Sequence, residues 1–412
     1  MSNYIVDVAI IGAGPAGLAA AASARENGAK DVLILDRNGW LGGILPQCIH
    51  DGFGVEETGN SMTGPEYADK YIKLIEKKNI FVMAETMVLS FDKNRVINAV
   101  NKKGLHKIKA KSIVLAMGCR EKTRWNIMIP GDRPSGIYTA GVAQAFINLY
   151  NIIPGKNVVI LGSGDVGLIM ARRLKFEGSN VHGVVEILPF ASGLPRNVVQ
   201  CLDDYDIPLF LNHTVVNIKG RERLESVTIA QVDEKMNILP KSKKEIRCDT
   251  LLLSLGLIPE NELSKNIGIK LDEATGGPIV NQFFETNIFG IFACGNCLQV
   301  YDTVDVLSKG AKHAGKNAAL KTKNKNKEIN VKPGKNIRYI IPQKITNSGK
   351  INFTMRVLKP EQSVTLIAKI NNDEIYKKKL RWVNPANIVE FDIEINDDLL
   401  KTGKDLEVSL DA

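Results

Sequence analysis

No apolar run in the 412-residue sequence is long enough to cross a bilayer; the longest are strand-sized and broken by glycine or charge. The opening residues MSNYIVD lack the basic segment and apolar stretch of a secretory leader, so a cytoplasmic protein with no membrane span is expected. Cysteine is sparse. Cys48, Cys119, Cys201, Cys248, Cys294 and Cys297 are too few and too irregularly spaced for a secreted disulfide framework, and reduced thiols are expected. The net charge of +9 is accompanied by no nucleic-acid recognition motif, which points to a solvated basic surface and no nucleic-acid partner.

Hydrophobic residues at 44% and charged residues at 24% exclude a disordered or fibrous chain, and the length exceeds what one core serves, so two or three domains are expected. The most informative stretch is Tyr4 to Arg37. An apolar run, Val6 to Ile11, leads into Gly12, Gly14 and Gly17, then an alanine-rich helical segment, then a second apolar run, Val32 to Leu35, closing on Asp36. This order of strand, glycine turn, helix, strand and acid is that of a dinucleotide-binding unit. Gly12 allows the turn, Gly14 lets the backbone approach a pyrophosphate, and Gly17 packs the helix on the strand. Asp36 suits a ribose hydroxyl; Pro15, Ala16 and Arg37 complete the candidate contacts.

The pattern recurs. Asn157 to Leu161 precedes Gly162, Gly164 and Gly167, a helical stretch beginning at Asp165 follows, and Val181 to Val185 ends on Glu186. In both units the acid lies 24 residues beyond the first glycine, Gly12 to Asp36 and Gly162 to Glu186. Two such units mean two dinucleotide domains. Between them, the glycine-punctuated segment after Asp36 is too long for a connector and is expected to be functional. Gly42 and Gly43 would let backbone pass close to a bulky ligand, and Cys48 and His50 follow. Further on, short strand-like runs are expected at Met87 to Phe91, Val96 to Val100, Leu105 to Ile108 and Ser112 to Met117. Beyond the second unit, Ser192 to Tyr205 reads as helix, Pro208 to Ile218 as strand, and Thr250 to Leu255 as a buried strand. Lys321 to Lys335 reads as a polar linker, and alternating strand patterns from Ile337 suggest a small antiparallel β-sandwich.

With these motifs in order, residues Tyr4 to about Lys321 resemble the flavin-dependent pyridine nucleotide oxidoreductases of the glutathione-reductase-like superfamily. The resemblance implies an α/β fold of two Rossmann-like dinucleotide-binding domains, the NAD domain inserted in the FAD domain, with a small C-terminal all-β domain. The expected limits are 1–120 and 250–322 for FAD, 121–249 for NAD, 323–336 for the linker and 337–412 for the β domain. FAD would occupy the first glycine turn and NAD the second, with Glu186 favouring NAD over NADP by repelling a 2'-phosphate. VLAMGCRE matches the segment that returns the chain from the inserted NAD domain's side and ETNIFGIFACGN the second FAD motif, adding Ala116, Gly118, Gly295 and Asn296 to the candidates, with Gly256 of LLLSLGLIPEN beside them. Asn296 stands where the family usually has Asp. The helix that follows would aim its N-terminus, near Asp302 to Val304 and including Thr303, at the flavin.

The departures from the disulfide reductases are equally specific. The first loop has Cys48 alone, the NAD domain has no CxxC, and no histidine follows His313. Cys48 is a candidate redox thiol or a packing residue, and His50 a weaker candidate beside it. Cys294 and Cys297 form CGNC, a dithiol or half a metal site on spacing alone; no metal is expected. GGILPQCIHDGFG, VVEILPFASGLPRNVVQCLDD and FACGNCLQVYDTVD further resemble a flavoprotein found with a glycerol-3-phosphate dehydrogenase-like flavoprotein and a small cysteine-rich protein in anaerobic bacteria. That likeness implies an electron-transfer subunit with those two partners, docked through the β domain. A stand-alone NADH oxidase or thiol/disulfide reductase using Cys48, a non-catalytic flavoprotein scaffold and a homo-oligomer stay open.

Overall fold

The computed structural model describes residues 2–320, 328–371 and 373–411. The chain forms two compact units, Met1–Cys119 with Pro259–Ala412, and Arg120–Ile258.

At the centre of the first unit runs the strand Ser2–Ile11, parallel to Val32–Leu35 on one side and Gly104–Leu115 on the other; Ile10 lies opposite both Ile34 and Val114. Phe81–Met83 extends one edge and Ile291–Ala293 pairs with the end of Gly104–Leu115, all parallel. The helices Pro15–Glu26 and Val304–Leu320 pack on this sheet, so strand ends such as Val8 to Ile11 and Ile113 to Leu115 are buried and apolar without alternation. Helix meets helix closely: a Cβ on Gly315 would lie 2.0 Å from the Ala20 carbonyl oxygen, and Ser23 Oγ donates to Lys312 O at 2.7 Å.

The two runs expected at Leu105 to Ile108 and Ser112 to Met117 are one strand. Lys107, Lys109 and Lys111 face solvent while His106, Ile108 and Ala110 are buried, so the intervening lysines continue the alternation. The first half of this strand carries Val96–Asn101 and Met87–Phe91 as an antiparallel meander.

The second unit has a five-stranded parallel sheet in the order Leu209–Phe210, Asn180–Val185, Asn157–Leu161, Thr250–Leu253 and Ile137–Thr139. Thr250–Leu253 was expected in the first domain; it sits instead between two strands of the second, and the unit boundary falls at Ile258/Pro259. The stretch expected as one strand, Pro208 to Ile218, divides into Leu209–Phe210 and His213–Gly220, which belong to different sheets. Asn212, at φ 55°, breaks it. The helix expected over Ser192 to Tyr205 is confined to Pro195–Cys201.

The C-terminal β domain belongs to the first unit. A five-stranded and a three-stranded sheet share one apolar core around Phe353, Leu366, Ile395 and Leu410. Ile329–Pro333, inside the expected linker, is a strand of this domain and runs parallel to Leu406–Asp411, so the domain is not purely antiparallel. Residues 323–327 of that linker lie outside the described residues. No helix among the described residues is long and apolar enough to cross a membrane.

Candidate functional site

The first glycine turn is built by backbone contact. Gly12, at φ +107°, could carry no side chain, since its Cβ would stand 2.3 Å from Ala116 O; a Cβ on Gly17 would stand 1.8 Å from Gly12 O. Gly14 differs. Its conformation is extended, and the nearest atom to a Cβ there is Gly43 Cα at 3.9 Å, so the space in front of it is open. Gly42 N donates to Ala13 O at 2.9 Å, bringing the Gly42–Gly43 corner over the turn. Pro15 opens the helix behind it, where first-turn N–H groups have no partner within the helix. Asp36 accepts from Ala13 N at 2.6 Å and Asn38 N at 2.8 Å, and Arg37 beside it is exposed.

Ala116 and Gly295 complete the cradle, Gly295 so close to Ala16 that its Cβ would lie 2.5 Å from the Ala16 methyl. Asn296 accepts from Tyr301 N at 3.0 Å and donates to Cys119 Sγ at 3.5 Å. Thr303 Oγ1, at the start of the helix Val304–Leu320, is buried with no partner among the described residues. An open glycine cradle at a helix N-terminus and a buried hydroxyl without a partner among the described residues at a second one fit an FAD, which Gly12, Gly14, Gly43, Ala116, Asn296 and Thr303 would hold. Gly118 lies two residues beyond Ala116, its carbonyl accepting from Glu260 N at 3.0 Å. Gly256 falls in the second unit, where its carbonyl accepts from Lys122 N. Cys119 stands beside Asn296 through a contact across 177 residues, which no local pattern in the sequence announces.

Cys48 and His50 stand on the following loop. Cys48 Sγ donates to Ile44 O at 3.5 Å, and burial pushes its thiol up to about 12. His50 pairs through Nδ1 with Asp51 O at 3.0 Å and packs on Phe53. Cys294 and Cys297 are wholly buried. Desolvation holds the first thiol well above its ordinary value and the second at about 11, and Cys297 Sγ donates to Leu115 O and Cys294 O, both at 3.1 Å. CGNC is therefore packing at the end of a core strand, not an accessible dithiol. No cluster of three or more metal-ligating groups occurs among the described residues.

Glu57 fixes the far end of this loop. Its carboxylate accepts from Tyr67 and Tyr71 hydroxyls at 2.8 Å each and pairs with Lys70 and Lys312, while its own N–H donates to Asp305 at 3.0 Å. Burial alone would raise its pKa, but hydrogen bonds from Lys312, Tyr67, Tyr71 and Lys70 outweigh that and hold it at about 2. Because the folded value lies below the unfolded one, this contribution is present above about pH 4.5 and lost as pH falls toward about 2. Acid unfolding monitored by far-ultraviolet circular dichroism should therefore be shallower between those values for Glu57→Gln than for the parent; identical profiles would refute the assignment.

The second glycine turn repeats the first. A Cβ on Gly162 would meet Ser254 O at 2.1 Å, and one on Gly167 would meet Ser254 Cβ at 2.6 Å. Gly164 caps the helix Asp165–Phe176. Glu186 is buried and accepts from Ser163 N at 3.0 Å, Ser163 Oγ at 2.5 Å, Ser192 Oγ at 3.1 Å and Leu188 N at 3.0 Å. Asp165 Oδ1 accepts from Leu194 N at 2.8 Å and Asn197 Nδ2 at 2.6 Å.

Gly14 offers a clean test of the first cradle. Its backbone is relaxed and its Cβ position open, so Gly14→Val should fold as the parent does yet lose the yellow colour of bound FAD, because the side chain would fill the pyrophosphate's place. A folded, yellow Gly14→Val protein would overturn it. At Glu186, the parent is expected to use NADH in preference to NADPH, and Glu186→Gln, which keeps one acceptor oxygen and removes the charge, should narrow that ratio of kcat/KM; equal use of both by the parent, or an unchanged ratio in the variant, would remove this role from Glu186.

Known proteins share this arrangement. The chain is 27% identical to apoptosis-inducing factor 3 of Homo sapiens over 303 residues, 71% of this chain and 45% of that protein. It thus spans less than half of that relative's length. It is 28% identical to the NADH oxidase of Methanocaldococcus jannaschii over 312 residues, 72% of this chain and 64% of that protein. Among solved structures, T. acidophilum thioredoxin reductase superposes with a TM-score of 0.61 at 24% identity, covering 77% of this chain and 97% of that one. The NAD-dependent persulfide reductase of A. fulgidus gives 0.60 at 19% identity over 96% of this chain and 76% of that one, a likeness of fold. The family model for pyridine nucleotide-disulphide oxidoreductases matches residues 6–318, which contain both glycine cradles, and the chain belongs to that family of FAD- and NAD(P)-dependent enzymes.

Proposed function

We propose that this chain transfers hydride between NAD(H) and FAD and passes electrons to its final acceptor without a thiol relay, the chemistry of a stand-alone NADH oxidase. When bound, FAD supplies both the hydride acceptor and the electron donor of that sequence. The observation that carries the reading is the condition of the cysteines. Cys201, Cys248, Cys294 and Cys297 are buried, and burial raises the thiol pKa of each; Cys119, half-buried, accepts from Asn296 Nδ2 and stands in no disulfide. Cys48, at about 12, is held as a neutral thiol at physiological pH, whereas a thiol/disulfide reductase needs a thiolate there. His50 pairs through Nδ1 with Asp51 O in its own loop.

The residues of the chain then act by placement. Gly14 leaves room for a pyrophosphate, Gly43 lets its loop lie against the turn, Asp36 orders that turn, and the N-terminus of the helix Val304–Leu320 favours negative charge beside Thr303. No side-chain acid or base is required. The likeness to an NADH oxidase supports this reading.

A second reading is a subunit linked to glycerol-3-phosphate oxidation, with a glycerol-3-phosphate dehydrogenase-like flavoprotein and a small cysteine-rich protein as partners. It rests on the sequence likeness and on the same want of an internal relay. The purified chain is expected to oxidise NADH in air, with Cys48→Ser retaining most of the rate. Loss of turnover in Cys48→Ser would make Cys48 the relay. Negligible turnover alone, restored by the two partner proteins, would establish the second reading, and NADH that fails to bleach the flavin would leave only a scaffold.

A further inference from the structure

Five residues, Gln299 to Thr303, join the turn that carries Asn296 to the helix that begins at Val304. This short segment is held by the C-terminal β domain. Arg356, on the strand Gly349–Val357, forms a largely buried ion pair with Asp302 and donates Nη2 to Val300 O at 3.0 Å. The same guanidinium donates Nε to Tyr339 Oη at 3.0 Å and Nη1 to Pro385 O, so all three of its nitrogens are engaged. Asp302 also accepts from Ile388 N at 2.6 Å. One step earlier, Gln299 Nε2 donates to Thr354 Oγ1 at 2.9 Å in a fully buried contact. Three of the five residues are thus bonded from the β domain.

Two of the segment's other polar groups bear on the first cradle: Tyr301 N donates to Asn296 Oδ1, fixing that amide, and Thr303 Oγ1 is buried without a partner among the described residues. Tyr339 and Ile341 of the β domain lie within the hydrophobic core of the dinucleotide domain itself. The β domain is thus packed into the dinucleotide domain and does not merely hang from its linker.

We infer that the β domain is a built-in part of the FAD site and that Arg356 is its positioning residue, setting Asn296 and Thr303 through the Val300–Asp302 segment. A rigid fork suits this role, because Arg356 reaches a carboxylate, a carbonyl and a hydroxyl at once, which a lysine cannot do. Removing it leaves Asp302 as a buried carboxylate without its cation, and the segment must rearrange to solvate it. The inference rests on FAD occupying the first cradle and supplies a function for the β domain that the cradle alone does not.

The test is an FAD titration of the apo full-length chain, read by quenching of flavin fluorescence and by the visible absorption bands of the bound flavin. Arg356→Leu should weaken FAD binding by at least about ten-fold and alter the bands, since charged hydrogen bonds to the segment are lost. Arg356→Lys, which keeps the charge against Asp302, should recover part of the affinity. Binding within about two-fold of the parent with unchanged bands would overturn the inference. Should Arg356→Leu fail to fold, Asp302→Asn, which keeps an acceptor for Ile388 N, is read by the same criteria. A parent chain that takes up no FAD would overturn the cofactor assignment as well, whereas an indifferent variant in a yellow protein overturns this inference alone.

Discussion

Backbone lies against backbone at the first glycine turn, and the rest of the first unit is arranged to permit it. Gly12 meets the Ala116 carbonyl, Gly17 meets Gly12, Gly43 faces Gly14 and Gly295 sits on the Ala16 methyl, each at a distance no side chain could share. Four segments remote in sequence converge there because their contact atoms are main chain or, at Ala16, a single methyl. The requirement propagates outward: a helix that close to its strand needs a small-residue face, and Gly315 in turn lets the helix Val304–Leu320 settle on Ala20. The second unit meets the same constraint with Gly162 and Gly167 against Ser254.

The two strand-tip acids reveal a shared division of labour. Asp36 accepts from the amide after Gly12 and from its own second neighbour, Asn38; Glu186 accepts from the amide after Gly162 and from its own second neighbour, Leu188. Each carboxylate therefore orders its glycine turn before any ribose arrives. Glu186 goes further, taking two serine hydroxyls as well, so its remaining influence on a dinucleotide is mainly that of a fixed negative charge.

Two anchors distant from the cradle hold the segments that line it. The loop after Asp36 is tied at its far end by Glu57 and Asp305 to the helices Gly64–Lys77 and Val304–Leu320, with the capping box of Thr63 and Glu66 starting the former. The segment before the helix Val304–Leu320 is tied to the β domain by Arg356. The Arg356–Asp302 anchor is largely buried and the Glu57 anchor half-exposed, and in both the carboxylate has a cationic partner and further hydrogen-bond donors.

The sequence by itself determined the two dinucleotide units, the glycines that build them, the acids that close them and the separate β region, because each is a spacing between residues adjacent along the chain. Side-chain periodicity and turn chemistry are local properties, and they survive into the fold unchanged. Only the tertiary structure decided that Thr250–Leu253 joins the second sheet, that Ile329–Pro333 is a strand, that CGNC is sealed and that Cys119 stands beside Asn296. It alone decided that Arg356 reaches Asp302 across 54 residues. Strand partners, desolvation and buried ion pairs are set by which distant surfaces meet, and that is fixed by the packing of the whole unit, where no local pattern can record it.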